Sequence, residues 1–190
     1  MSATPTALSV MDEAQRIACD EPKPAKIVRA PMDVVVVVEI PKGSHHKYEI
    51  DRVTGTLWLD RVLSTATEYP TDYGYIVDTL AEDGDAIDAM VILEQPTVPG
   101  CRVRARPIGV LLMADEQGPD PKILCVATGD PMLGHASELR AVPPHLLDEI
   151  EHFFRVYKQL EPGKETSTMG WQDARAAEQL IEQGREHARR

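Results

Sequence analysis

Cysteine is scarce and unpatterned in this chain. Cys19, Cys101 and Cys125 are odd in number and widely spaced, and none belongs to a C-x-x-C pair. That excludes a disulfide framework and a thiolate metal knuckle, and predicts a reduced, cytoplasmic setting. Long apolar runs are missing too: residues 34–38 are apolar and Glu39 then interrupts them, far short of the roughly 20 residues that span a bilayer. No basic segment followed by an apolar one opens the chain, so export is not expected. Positive charge is also in deficit. A net charge of −11 argues against broad nucleic-acid binding, which leans on basic surface to neutralise phosphates. It leaves a small phosphate substrate open, because bound divalent metals reverse the sign of a site locally. The six histidines show no metal-ligand spacing, and His45-His46 reads as a solvated turn. No repeat or low-complexity tract stands out.

What the chain does have is Asp83-Gly84-Asp85-Ala86-Ile87-Asp88, three carboxylates in six residues, followed at once by Ala89-Met90-Val91-Ile92-Leu93. Like charges this close repel one another unless a cation sits among them. Carboxylate oxygens suit Mg²⁺, Mn²⁺ or Ca²⁺, and Gly84 lets the backbone turn tightly. The competing reading is an ordinary solvated turn. An EF-hand loop does not fit, since its fifth and sixth positions are Ile87 and Asp88 and a strand-like run follows. An aspartyl-phosphate enzyme does not fit either, because its nucleophile ends a buried strand whereas here the apolar strand comes after.

At 190 residues the chain suits one domain with an appendage. Residues 1 to about 30, with Pro5, Pro22 and Pro24, read as a mobile or surface-docked extension, and 31–190 as a single domain. Residues 34–40 read as a fully buried strand turned by Pro41-Lys42-Gly43. Glu39 within it needs a partner if buried, though its place at a strand end leaves an exposed alternative. Lys47-Tyr48-Glu49-Ile50-Asp51 alternates, with Lys47, Glu49 and Asp51 on one face, and Thr54-Gly55 closes a hairpin into residues 56–61. Tyr69, Tyr73 and Tyr75 crowd seven residues, either as a packed aromatic turn or as hydroxyls aimed at an oxyanion. Residues 101–113 read as strand, with Arg102, Arg104 and Arg106 along one side. Two further acidic positions, Asp115-Glu116 and Asp120-Pro121-Lys122, fall in a loop before the strand at 123–126. Pro143-Pro144 opens a helix whose core stripe is Leu146, Ile150, Phe153, Phe154 and Tyr157. Residues 171–188 read as a last charged helix with Ala174, Ala177, Leu180 and Ile181 on one face.

Taken in order, Glu39-Ile40-Pro41, Lys47-Tyr48-Glu49, Asp60-Arg61, Tyr69-Pro70, Tyr73-Gly74-Tyr75, the acidic turn, Asp115-Glu116, Asp120-Pro121-Lys122 and Tyr157-Lys158 resemble the soluble family I inorganic pyrophosphatases of bacterial type. The likeness runs from about residue 34 to 171. It departs at Ala86, where the family usually has proline, and in the length of the N-terminal extension.

The resemblance implies an α+β fold, a compact five-stranded OB-like β-barrel flanked by two helices from the C-terminal half. It also implies Mg²⁺-dependent hydrolysis of diphosphate to two phosphates by a metal-activated water, with several Mg²⁺ per site and Mn²⁺ as a substitute. By position, Asp85 is implied as general base. Asp83, Asp88 and Asp120 are implied as ligands of a first metal, Asp88 being shared with a second, Asp115 and Asp120 as ligands of further Mg²⁺, and Glu39 and Glu49 as acting through water. Lys47, Arg61, Tyr157 and Lys158 match phosphate-gripping positions, and Lys122, Tyr69 and Tyr73 supporting ones. A homohexamer is implied, with neither nucleic acid nor membrane as partner. The alternatives are a metal-dependent phosphohydrolase acting on nucleotides or phosphomonoesters, and an OB-like binding module without chemistry. The module predicts a basic, aromatic-studded face, which this acidic chain does not offer.

Overall fold

The computed structural model describes residues 32–190; the N-terminal extension read over residues 1 to about 30 lies outside them. Among the described residues nine strands and two α-helices follow in the order β1 (Val34–Ile40), β2 (His46–Ile50), β3 (Leu57–Val62), β4 (Asp72–Ile76), β5 (Asp88–Ile92), β6 (Arg102–Asp115), β7 (Gly118–Pro119), β8 (Lys122–Ala127), α1 (Pro144–Val156), β9 (Thr166–Asp173) and α2 (Ala174–Ala188). A short 3₁₀ turn, Leu139–Ala141, precedes α1. Among the described residues no helix is long and apolar enough to cross a membrane.

Five strands close a ring. β1 pairs antiparallel with β4 and with β6, β4 antiparallel with β5, β5 parallel with β8, and β8 antiparallel with β6. This is the OB-like barrel the resemblance implied. Closure leaves the ring without free edges. The 14 residues of β6 are long enough to pair β1 at one end and β7 and β9 at the other. The hairpin β2–β3 forms its own two-stranded sheet.

Alternation sorts the apolar side chains into two packed clusters. Met90 and Ile92 of β5 join Tyr73, Leu124, Ile150, Phe153 and Phe154 beneath α1. Ala89 and Val91, which alternate with them, join Val36, Ile76, Cys125, Ala177 and Ile181 beneath α2. A strand apolar on both faces, such as β8 with all six residues buried, is what a barrel wall covered on both sides requires. Each aliphatic side chain so buried contributes roughly 1.5–3 kcal/mol.

Two expectations are corrected. Val35 is exposed and Glu39 only half-buried, so β1 is not buried throughout; the outer face of the strand is uncovered at those points. Residues 171–173 are not helical. They end β9, which pairs β6 with a register shift and turns through Gly170 at a φ of +83°. The helix begins at Ala174 because the Asp173 carboxylate caps it, accepting from the Ala176 N–H at 3.0 Å.

Candidate active site

One polar cavity of about 650 Å³ opens where the hairpin β2–β3, the loop between β4 and β5, the end of β6 and the end of α1 meet. Asp83, Asp85, Asp88, Asp115, Asp120, Glu39 and Glu49 line it, as do Lys47, Arg61, Tyr73, Lys122, Tyr157 and Lys158. Tyr69 does not. It is buried behind the wall, with its ring 4.7 Å from Phe153 and 5.4 Å from Tyr73.

The acidic loop is shaped by its own backbone. Gly84 turns at a φ of +90°, which a side chain would disfavour. The Asp85 N–H donates to Asp83 Oδ1 at 2.9 Å and the Ala81 N–H to the Asp85 carbonyl at 2.6 Å. Asp85 projects into solvent, met by Arg52 at 3.2 Å.

The acids and bases interleave. The buried Lys122 ammonium bridges Asp88 and Asp120, and Tyr73 donates its hydroxyl to Asp88. Lys158 holds Asp115 at 2.7 Å, and Lys47 touches Glu49 and Asp60. Burial would strip the charge from Lys122, yet Asp88 and Asp120 raise its pKa instead. Burial raises Asp120 as well, with Asp88 and Asp115 adding repulsion. For Asp115, burial opposes the charge but the Lys158 ammonium and the Gln117 N–H hold the carboxyl below its usual range. Glu39 is pushed up to about 7, mainly by burial and then by Asp88 and Glu49, against the Ile50 N–H that it accepts at 2.8 Å. The partner that a buried Glu39 needed is therefore a backbone amide of the hairpin.

Arg61 is held by its neighbour Asp60 and by a group that sequence reasoning overlooked, Glu161. Its Nε donates to Glu161 at 3.1 Å, 100 residues away in sequence, and its Nη1 to Asp60 at 2.9 Å. The third nitrogen, Nη2, is buried without a partner among the described residues. Arg52 and Lys164 also line the cavity unforeseen. No periodicity marks these positions. Only Gly163 beside Lys164 signalled that the chain stops and turns there.

Among the described residues no three His, Cys, Asp or Glu side chains form a ready metal cage, because lysines stand between the carboxylates. The donor set still fits a hard divalent cation: it is all carboxylate oxygen, and burial and mutual repulsion raise Glu39 and Asp120, the situation that an added cation relieves.

Acids and cations gathered in one cavity of an OB-like barrel suit a polyanion bound together with hard cations. The sequence model described as inorganic pyrophosphatase matches residues 36–189. The chain is 50% identical over 149 residues to the inorganic pyrophosphatase of Leifsonia xyli, covering 78% of this chain and 91% of that one. It is 51% identical over 151 residues to the inorganic pyrophosphatase of Streptomyces coelicolor, covering 80% and 93%. The crystal structure of the Thermus thermophilus inorganic pyrophosphatase superposes with a TM-score of 0.81 at 43% identity, covering 85% of this chain and 94% of that one. The Helicobacter pylori enzyme gives 0.82 at 35%, covering 88% and 100%. The chain belongs to the inorganic pyrophosphatase family, a family of metal-dependent hydrolases of diphosphate.

Proposed function

We propose that this chain hydrolyses inorganic diphosphate using Mg²⁺, with the acids of the cavity as metal holders and its cations as the phosphate grip. What carries the reading is the cavity itself, which gathers Lys47, Arg61 and Lys158 beside Asp83, Asp88, Asp115 and Asp120; ammonium and guanidinium donors suit phosphate oxygens, and carboxylates suit the hard cations that accompany them. Asp83, Asp88 and Asp120 would hold the first Mg²⁺, Asp88 a second, and Asp115 with Asp120 further ions, while Glu39 and Glu49 act through water. Bound Mg²⁺, or Mn²⁺ in its place, supplies positive charge against the diphosphate and acidifies water.

The chain's own groups do the rest. Lys47, Arg61, Tyr157 and Lys158 orient the two phosphoryl groups, supported by Lys122 and Tyr73 and, from behind, by Tyr69. Asp85 accepts the proton of the attacking water. As the new P–O bond forms, the bridging P–O bond breaks and the second phosphate leaves. Charge spreads over phosphoryl oxygens in the transition state, and fixed ammonium and guanidinium groups stabilise it there. We read 31–190 as one catalytic domain with 1–30 as its extension, working as a homohexamer in the cytoplasm.

Phosphate release from diphosphate, ATP and a simple phosphomonoester, each with Mg²⁺ and with excess chelator, tests the substrate. A strong Mg²⁺-dependent preference for diphosphate is expected. Equal or greater turnover of ATP would transfer the site to nucleotide hydrolysis.

A further inference from the structure

The acidic loop is fixed from outside the cavity, by the C-terminal helix. Gly184 is buried in the interior of α2, where glycine is among the least favourable helix residues. The reason lies across the interface. A Cβ at this position would stand 2.5 Å from Ile87 Cδ1, 3.2 Å from Ile87 Cγ1 and 3.3 Å from Thr79 Cβ. The bare helix surface lets the loop settle against it, and the Leu80 N–H donates to the Gly184 carbonyl at 3.0 Å.

Thr79 completes the seat. It is buried, and its hydroxyl donates to the Ile76 carbonyl at 2.7 Å while accepting the Ile87 N–H at 3.0 Å. The two ends of the loop are thus tied together one residue before Asp88. Resting on the reading of Asp83, Asp85 and Asp88 given above, we propose that Gly184 and Thr79 are positioning residues that set where these three carboxylates stand. Neither touches the cavity. A displacement of an ångström at a reacting group costs up to about a hundredfold in rate, so a single methyl at the helix surface reaches the chemistry through Ile87.

The test adds one methyl and removes the one it strikes. Gly184→Ala should slow kcat about 10-fold and raise the Mg²⁺ concentration for half-maximal rate about 3-fold. KM at saturating Mg²⁺ should stay level, because Lys47 and Arg61 ride on other elements. In the metal-free protein, amide hydrogen exchange at Leu80 and Ile87 should quicken about 10-fold while β8 stays protected. The double variant Gly184→Ala with Ile87→Val should return both readings to within about twofold of the parent. Thr79→Val, which keeps shape and loses both hydrogen bonds, should reproduce the signature, and Thr79→Ser should not.

Parental exchange and parental Mg²⁺ dependence in Gly184→Ala and Thr79→Val overturn the proposal, as does a loss that Ile87→Val fails to reverse. Should Gly184→Ala not fold, Thr79→Val against Thr79→Ser decides alone. A parent chain inactive on diphosphate would defeat the functional reading, whereas the exchange measurement reports on the clamp without any turnover.

Discussion

The hairpin β2–β3 and the loop at 78–88 border the same cavity and even touch, Arg52 of one meeting Asp85 of the other. They are built in opposite ways. The loop is sewn to the barrel by the Ile76–Ile87 backbone bond, by Thr79 and by α2. The hairpin is a separate sheet that leaves Val53, Leu57, Trp58, Leu59 and Val62 in contact with solvent. Tyr48 packs it on the core beneath α1, and Glu39 holds its Ile50 amide. Carboxylates that share cations need fixed spacing, because repulsion among them grows steeply as they approach. Cations that grip a substrate bring their own long side chains and tolerate a looser frame.

The comparison breaks most sharply at Asp85. In the role proposed for it, a positioned base, it would contribute about 10²–10⁴-fold in kcat, so Asp85→Asn should lose that factor with little change in Mg²⁺ affinity by calorimetry. Asp88→Asn, which removes charge from the Lys122 bridge and from the proposed metal holders, should weaken Mg²⁺ binding along with rate. A fully active Asp85→Asn would make Asp85 an exposed turn residue and leave the loop without a base.

Much of this was legible in the sequence for a physical reason. Asp83, Asp85 and Asp88 crowd one turn, a density of like charge that marks a cavity lining by itself, whereas Tyr157 and Lys158 were named for the cavity only through the family resemblance. Barrel strands announce themselves by apolar runs and α1 by its stripe. What stayed hidden was long-range. Glu161 reaches Arg61 across 100 residues, and β9 depends on β6 for its pairing. Residues 171–173 share composition with the helix after them, and only the Asp173 cap fixes the boundary.

The join between the two regions, Glu39, gives the next largest effect. Its pKa of about 7 in the folded protein stands above the ordinary 4.5. The unfolded chain releases this proton near pH 4.5 and the native chain only near 7. Stability from Glu39 is therefore present below about pH 4.5 and is lost as pH rises to about 7, on the order of 3 kcal/mol in all. Urea unfolding of the chelator-treated protein at pH 5 and pH 8 should show this decline, and Glu39→Gln should flatten it. An undiminished slope in the variant would move the cause to another group.

Glu161 probes whether the hairpin's grip depends on support from beyond it. Glu161→Gln leaves an acceptor for Arg61 Nε but removes the charge that, with Asp60, raises the guanidinium's pKa against burial. KM for diphosphate should rise about 10-fold with kcat changed by less than about threefold, the pattern of lost ground-state binding. An equal fall in kcat at unchanged KM would instead tie Arg61 to the transition state alone.

The smallest effect is expected at Trp58, and it sharpens the comparison because the residue is large. Trp58 sits opposite Glu49 in the hairpin register and remains 62% exposed. A tryptophan normally adds much to stability by leaving water, but this one stays largely wet. Trp58→Ser should therefore change unfolding free energy by no more than about 0.5 kcal/mol, the usual range for surface positions, with kcat/KM for diphosphate unaltered. Val91→Ser in β5, where the side chain is fully buried, should cost several times as much, since a hydroxyl is buried and a cavity opened together. If Trp58→Ser costs as much as Val91→Ser, the hairpin's outer face is covered in solution. A melting temperature that depends on protein concentration in the parent and not in the variant would then identify another copy of the chain as the cover.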